Sequence, residues 1–391
     1  MSYYYRTAIL LSLVSIQSHA NVVQYFTGIN YSNPTEIFTT KKNQMQLGAT
    51  GFRTIGRFQG SVFNFNPGDY GAGVSRTSTT SLLPYGRIAT GINEKEIEGV
   101  DITEPFHSNW NWGNNSFTRY TATQTYLTDI DISPRLSYSF SKQWQVGGGL
   151  NFNFLNNNES NWAVPTSSTT YASLVNRTSS FGLGFNVGAY YLINQTNFLG
   201  AAYYSKIRQQ GRGYSNLETP NNSFTFDFNM PATTVLSYVH IFNPQWLANL
   251  KLFYSEWSAN QFLMFKNTAV SNPQDFTVPT QYRNSTAIAG ALRRQMNDKL
   301  GLTAIGVVDD GPERDQYRVL NFPADRQYFL ALAADYHFTR NTSVELLYGY
   351  GWETARMNNS PPLGPTTTPF PMGDTKLSAN VVDFKLKVEA D

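Results

Sequence analysis

Residues 119–154, RYTATQTYLTDIDISPRLSYSFSKQWQVGGGLNFNF, constrain the fold more than any other stretch. Between Tyr120 and Phe140 the residues Tyr120, Ala122, Tyr126, Ile130, Ile132, Leu136, Tyr138 and Phe140 share one parity. Thr121, Thr123, Thr125, Asp129, Asp131, Ser133, Arg135, Ser137 and Ser139 share the other. A period of two predicts a strand with one apolar and one polar face. Ser141-Lys142-Gln143 supplies a tight turn. The pattern then resumes with Trp144, Val146, Leu150, Phe152 and Phe154 against Gln145, Gly147, Gly149, Asn151 and Asn153. The polar face carries charges and glycines, which a packed soluble core does not welcome. Long strands, a short turn, aromatics outside and polar groups inside describe a transmembrane β-hairpin.

The rest of the chain extends that pattern. Charged residues are 14 % of 391, well below the roughly 25 % of soluble domains. The net charge of +2 gives nucleic-acid binding no electrostatic support. The absence of cysteine excludes disulfides and thiolate metal sites. Residues 1–20 are expected to be a signal peptide: Arg6, then an apolar run over 8–16, then Ser18-His19-Ala20 before the cut. That run is too short to span a bilayer as a helix, which takes about 20 residues. Insertion must therefore use a closed barrel. Residues 21–44 lack a clean period and hold the turn signal Asn33-Pro34-Thr35. They are expected to form a short hatch-like segment, with the barrel over 45–391.

Fourteen strands are expected, near 45–54, 82–91, 96–104, 119–140, 143–155, 179–193, 196–207, 223–242, 245–257, 279–296, 298–308, 326–338, 341–355 and 376–388. Short turns, such as Asn93-Glu94-Lys95 and Asn243-Pro244, alternate with long loops at 55–81, 105–118, 156–178, 208–222, 258–278, 309–325 and 356–375. That asymmetry belongs to outer-membrane barrels. Phe181, Leu183, Leu250, Leu252, Leu330, Leu332, Tyr348 and Trp352 are placed outward. Asn186, Asp227, Lys251, Arg283, Arg293, Asp335, Glu345, Asp383 and Lys385 are placed in the lumen. The third strand is the most polar. Its Gly99 is expected to kink it and Pro105 to stop its pairing. Among the loops, Trp162, Val164 and Leu174 form an apolar cluster suited to ligand capture. The histidines at 19, 107, 240 and 337 have no metal-ligand spacing, and no nucleophile elbow is present. No catalytic site, metal or cofactor is expected.

Several local motifs fall in a telling order: Leu83-Pro84, Pro105-Phe106, Arg119-Tyr120, Ile132-Ser133-Pro134, Met230-Pro231, Trp257-Ser258, Asp309-Asp310-Gly311-Pro312 and Phe322-Pro323-Ala324-Asp325-Arg326. Over about residues 80–388 they resemble the outer-membrane long-chain fatty-acid and aromatic-hydrocarbon transporters. The resemblance implies a fourteen-stranded barrel closed by an N-terminal hatch. It also implies capture of a hydrophobic ligand among the loops, a pocket inside the barrel and exit through a gap made by the third strand. Asn33-Pro34-Thr35 is similar to the family's hatch motif, with Thr for the usual Ala. About a dozen residues precede it after cleavage, so the hatch is expected to be short. The chain ends at Val388-Glu389-Ala390-Asp391, without the family's terminal aromatic.

The expected function is passive uptake of a hydrophobic small molecule, long-chain fatty acids first, by lateral diffusion through the wall. Phe253 and Phe329, bulky and inward by parity, are expected to line the pocket; Gly99, Pro105 and Phe106 are expected to form the gap. The partners are the cargo, outer-membrane lipid and lipopolysaccharide, with no nucleic acid, and the barrel acts as a monomer. The competing readings are a structural or adhesive surface barrel and a general porin. A continuous apolar pocket inside the polar lumen separates transport from both.

Overall fold

In a computed structural model, described over residues 29–37, 43–63, 70–166, 170–270, 275–358 and 370–390, the chain is a closed barrel of fourteen antiparallel spans. β1 (Asn43–Phe63) pairs with β2 (Tyr70–Gly91) on one side and with β19 (Phe370–Ala390) on the other, so the first and last strands close the ring. The third, seventh and eighth spans are each interrupted. They comprise β3 (Glu96–Thr103) and β4 (His107–Asn111), β8 (Asn197–Tyr204) and β9 (Ile207–Asn216), and β10 (Pro220–Met230) and β11 (Thr233–Asn243). The other spans are β5 (Gln124–Ser139), β6 (Trp144–Pro165), β7 (Tyr171–Asn194), β12 (Trp246–Ser255), β15 (Ser285–Gln295), β16 (Leu300–Asp309), β17 (Gln327–His337) and β18 (Thr342–Asn358). β13 (Phe262–Lys266) and β14 (Phe276–Pro279) form a hairpin in the long connection after β12, and β13 also pairs with β10.

Many strands outrun the bilayer. β1, β6 and β7 have 21, 22 and 24 residues, about twice the 9–11 needed to cross. The expected loops 55–81 and 156–178 are therefore largely strand: their residues continue the hairpin ladders beyond the membrane. The parity rule holds within the spans. Leu183, Leu250, Leu330, Leu332, Leu346 and Tyr348 are exposed on the outer surface, while Asn186, Lys251, Asp335 and Asp383 are buried in the lumen. An apolar exterior this extensive suits lipid, not water. Near the short turns, rings pair on the outside: Trp144 with Tyr191 at 4.4 Å and Tyr138 with Phe140 at 4.8 Å. Such pairs make the girdle of a membrane interface.

Four face assignments are corrected where the strand pattern gives way. Tyr120 and Ala122 are buried, because β5 begins only at Gln124 and the residues before it are folded turn. Asp227 is half-exposed, since Phe224, Phe226 and Phe228 take the inward parity of β10. Arg283 lies outside any strand, is exposed, and donates to the carbonyls of Asp310 and Gly311. The expected signal peptide at 1–20 lies outside the described residues, as do 359–369 of the expected loop 356–375, whose two ends are strand.

Candidate functional site: a broken wall beside two cavities

The ladder between β2 and β3 runs from Gly91↔Ile97 to Gly86↔Ile102 and stops there. The cause lies just beyond, at Pro105, which has no backbone donor. Phe106 then gives its N–H to the Asp129 side chain, Oδ1 at 2.5 Å, and accepts from the Asp129 N–H at 3.1 Å. β4 resumes pairing with β5. Toward β2, side chains replace the ladder. Thr79 Oγ1 donates to the Asn109 carbonyl at 2.7 Å, the Asn111 N–H donates to Thr77 Oγ1 at 3.1 Å, and His107 Nε2 meets Ser81 Oγ at 2.7 Å. The expected break is therefore present at Pro105 and Phe106 but not at Gly99. Gly99 sits within unbroken pairing, opposite Ala89 and Arg135, where an added Cβ would come 2.9 Å from the Ala89 Cβ.

The acids of the third span divide by position. Glu98 is exposed near the short-turn end, Glu104 accepts from Thr128 Oγ1 at the break, and Asp101 points inward and is fully buried. Asp101 binds Arg87 through both oxygens, at 2.6 and 2.7 Å, and Arg135 at 3.0 Å. These guanidiniums also hold the segment 29–37, which lies inside the barrel. Arg87 donates to Ser32 Oγ at 2.6 Å, and Arg135 donates to the same hydroxyl at 2.9 Å and to the Ser32 carbonyl at 3.0 Å. The Tyr204 hydroxyl donates to that carbonyl too, at 2.6 Å.

The expected hatch motif is anchored residue by residue. Asn33 Nδ2 donates to the carbonyls of Ala189 and Ala201 at 3.0 and 2.9 Å. Its Oδ1 accepts from the Thr35 N–H at 3.1 Å and the Thr35 hydroxyl at 2.8 Å, a bond that alanine could not make. Pro34 lies against Gly147 and Gly188, which face each other across β6 and β7. A Cβ at Gly147 would sit 3.1 Å from Pro34, so the two glycines give the segment its room. Glu36 follows in a 3-10 turn, Pro34–Ile37, and accepts from the Tyr190 hydroxyl at 3.1 Å, with Lys251 at 3.8 Å.

Two cavities adjoin the break. The first is lined by Tyr31, Thr103, Pro105, Phe106, Ser205 and Pro231 among others. All three span interruptions thus open onto one space. The second is almost wholly apolar, with Phe106, Leu127, Phe228, Trp257, Leu263, Tyr282 and Phe322 around it, and His107, Ser108 and Glu313 as its polar groups. Phe106 is common to both. Glu313 comes from the connection after β16. Burial pushes its carboxyl up to about 8, against the opposing pull of Arg318.

The other expected site residues fall nearby but not on these walls. Phe253 and Phe329 point inward and are fully buried in the main apolar cluster, yet line neither cavity. Trp162 packs edge-to-face on Phe265 at 5.7 Å, Leu174 is buried opposite Trp162, and Val164 is half-buried. These three belong to a strand extension, not to a free loop. Trp257, Tyr282 and Glu313 were missed as lining residues. Parity gives no guidance there, since all three lie outside regular strands.

Residues 21–388 match the family model described as outer membrane protein transport protein (OMPP1/FadL/TodX). Outer membrane protein P1 of Haemophilus influenzae is 26 % identical over 193 residues, 48 % of this chain and 41 % of the relative. The long-chain fatty acid transport protein of Escherichia coli K12 is 22 % identical over 201 residues, 47 % of this chain and 45 % of the relative. The match thus spans under half the length of these relatives. Among solved structures, a Pseudomonas aeruginosa FadL homologue superposes with a TM-score of 0.80 at 19 % identity, covering 92 % of this chain and 93 % of the other. The P. putida toluene transporter TodX gives 0.68 at 15 % identity, covering 93 % and 94 %. At those identities the likeness concerns the fold. With the family model spanning nearly the whole barrel, the chain belongs to the OMPP1/FadL/TodX family of outer-membrane transport proteins.

Proposed function

We propose that this barrel carries hydrophobic compounds, long-chain fatty acids included, passively across the outer membrane and releases them sideways through the break between the second and third spans. The observation that carries the reading is the apolar cavity at Phe106, which adjoins the place where the wall loses its ladder. A hydrophobic cargo gains about 25 cal/mol per Å2 of apolar surface removed from water. A continuous apolar route is therefore favoured over release into the aqueous periplasm. The segment 29–37 acts as the hatch that closes the straight path, held by Ser32, Asn33 and Glu36. That filling, with the apolar cluster that Tyr31 joins, disfavours a general porin, which needs a water-filled lumen. The barrel works as a monomer in contact with outer-membrane lipid and lipopolysaccharide.

The gap can be closed covalently, because the chain has no native cysteine. Asn109 Nδ2 lies 3.3 Å from Ser81 Oγ across it. A Ser81→Cys/Asn109→Cys protein should take up a labelled long-chain fatty acid at least tenfold more slowly when oxidised, and recover on reduction. Uptake that ignores the oxidation state would rule out the lateral route and leave a path past the hatch.

A further inference from the structure

A buried carboxyl lines the apolar cavity. Glu313 is only 4 % exposed, lines the cavity, and its Oε2 has no hydrogen-bond partner among the described residues. Buried polar atoms are nearly always paired, so one left open at a cavity wall marks where a ligand's polar group belongs.

The groups around Glu313 decide the charge of that ligand. Arg318 faces it with one guanidinium, and Asp309, Asp325 and Glu353 face it with carboxyls. Tyr282 contributes a phenol, and His107, at the cavity edge, meets Ser81. Arg318 is already committed to Asp315 at 2.7 Å, Asp325 at 3.1 Å and the Ala324 carbonyl at 2.7 Å. A ligand carboxylate would find the single guanidinium already taken, with Asp309 and Asp325 close by, and desolvation by the surrounding rings would add to the cost. A neutral ligand meets neither obstacle.

We propose that this cavity holds its cargo uncharged, as an aliphatic or aromatic hydrophobe whose single hydroxyl or un-ionised carboxyl hydrogen-bonds Glu313, and that it turns carboxylates away. The inference rests on the transport reading above and narrows its cargo. With its carboxyl pushed up by burial, Glu313 is mostly un-ionised at neutral pH and can both donate and accept.

The test uses the full barrel in detergent at pH 7, titrated with 1-decanol, decanoate and decane. Tryptophan fluorescence is the readout, and a Trp257→Phe protein isolates the cavity signal. Decanol should bind at least tenfold more tightly than decanoate. Glu313→Leu should erase the preference for decanol over decane, while Glu313→Gln, which keeps a donor and an acceptor, should retain it and confirm a folded cavity. Equal binding of decanol and decanoate by the wild type would overturn the charge rule. So would a decanol preference that survives in Glu313→Leu. In either case, uptake of both compounds by cells through the barrel would leave the transport reading standing. Uptake independent of the barrel would remove that reading itself.

Discussion

Phe106 donates its backbone N–H to Asp129 Oδ1 at 2.5 Å. A side chain thus takes the place of a strand partner where the third span leaves its neighbour. The same carboxylate accepts from Asn153 Nδ2 at 2.7 Å, which fixes its aim. Without such a partner, a broken span inside a membrane would carry a bare donor.

Asp129→Ala should therefore cost about 1–3 kcal/mol, the penalty for stranding a buried donor. Urea unfolding of the barrel from lipid vesicles would measure it. Amide exchange at Phe106 should rise in parallel, and an unchanged rate there would argue that water already serves as its partner.

Gly99→Val should act on stability and not on the gap. The new Cβ would press on Ala89 and the Ile88 carbonyl at 2.9 Å, inside a continuous ladder. Overpacking of this kind costs about 1–3 kcal/mol. Uptake per folded barrel should match the wild type, and vesicle unfolding should show the loss. A fall in uptake with no change in stability would return Gly99 to the exit.

Asp101→Asn removes the carboxylate that both Arg87 and Arg135 share. Stranding buried guanidiniums should cost about 3–5 kcal/mol. Because both also grip Ser32, residues 29–37 should become sensitive to protease in the folded barrel. Thr35→Ala is the milder companion. It loses the hydroxyl bond to Asn33 and should cost about 0.5–1.5 kcal/mol without freeing the segment.

Glu313 gives a pH signature. Its folded-state carboxyl titrates at about 8, above the ordinary value of 4.5. The folded state then holds the proton more tightly than the unfolded chain. Its contribution to stability is fullest below about 4.5, falls as pH rises toward about 8, and is level beyond that. The difference in unfolding free energy between wild type and Glu313→Gln should follow that curve. A flat difference would mean that Glu313 titrates in the folded barrel as it does in the unfolded chain.

The spans were legible because lipid outside and polar groups inside impose a strict parity on every strand. Leu183 and Leu330 against Asn186 and Asp335 follow it throughout. The cavities obey no such rule, since their walls come from interruptions and connections. Four of the eight short motifs that carried the family resemblance fall there, through Phe106, Met230, Pro231, Trp257 and Phe322. Single residues were harder to place. Phe253 and Phe329 had the right parity for a pocket but lie deep in packing. The loop lengths misled because hairpins that leave the membrane continue as strands, which polarity alone does not distinguish from loop.

The height of the break has its own consequence. β3 contributes eight residues before the wall parts. At about 3.3 Å per residue and a tilt near 40°, that places the opening roughly 20 Å above the short turns. The apolar band of such a barrel is about 25 Å tall. A molecule leaving there would enter the leaflet farther from the short turns, not the one beside them. Its remaining journey would be a flip through hydrocarbon, quick for a neutral molecule and costly for an ion. A cavity that releases only neutral cargo would hand the membrane a molecule able to finish the crossing unaided.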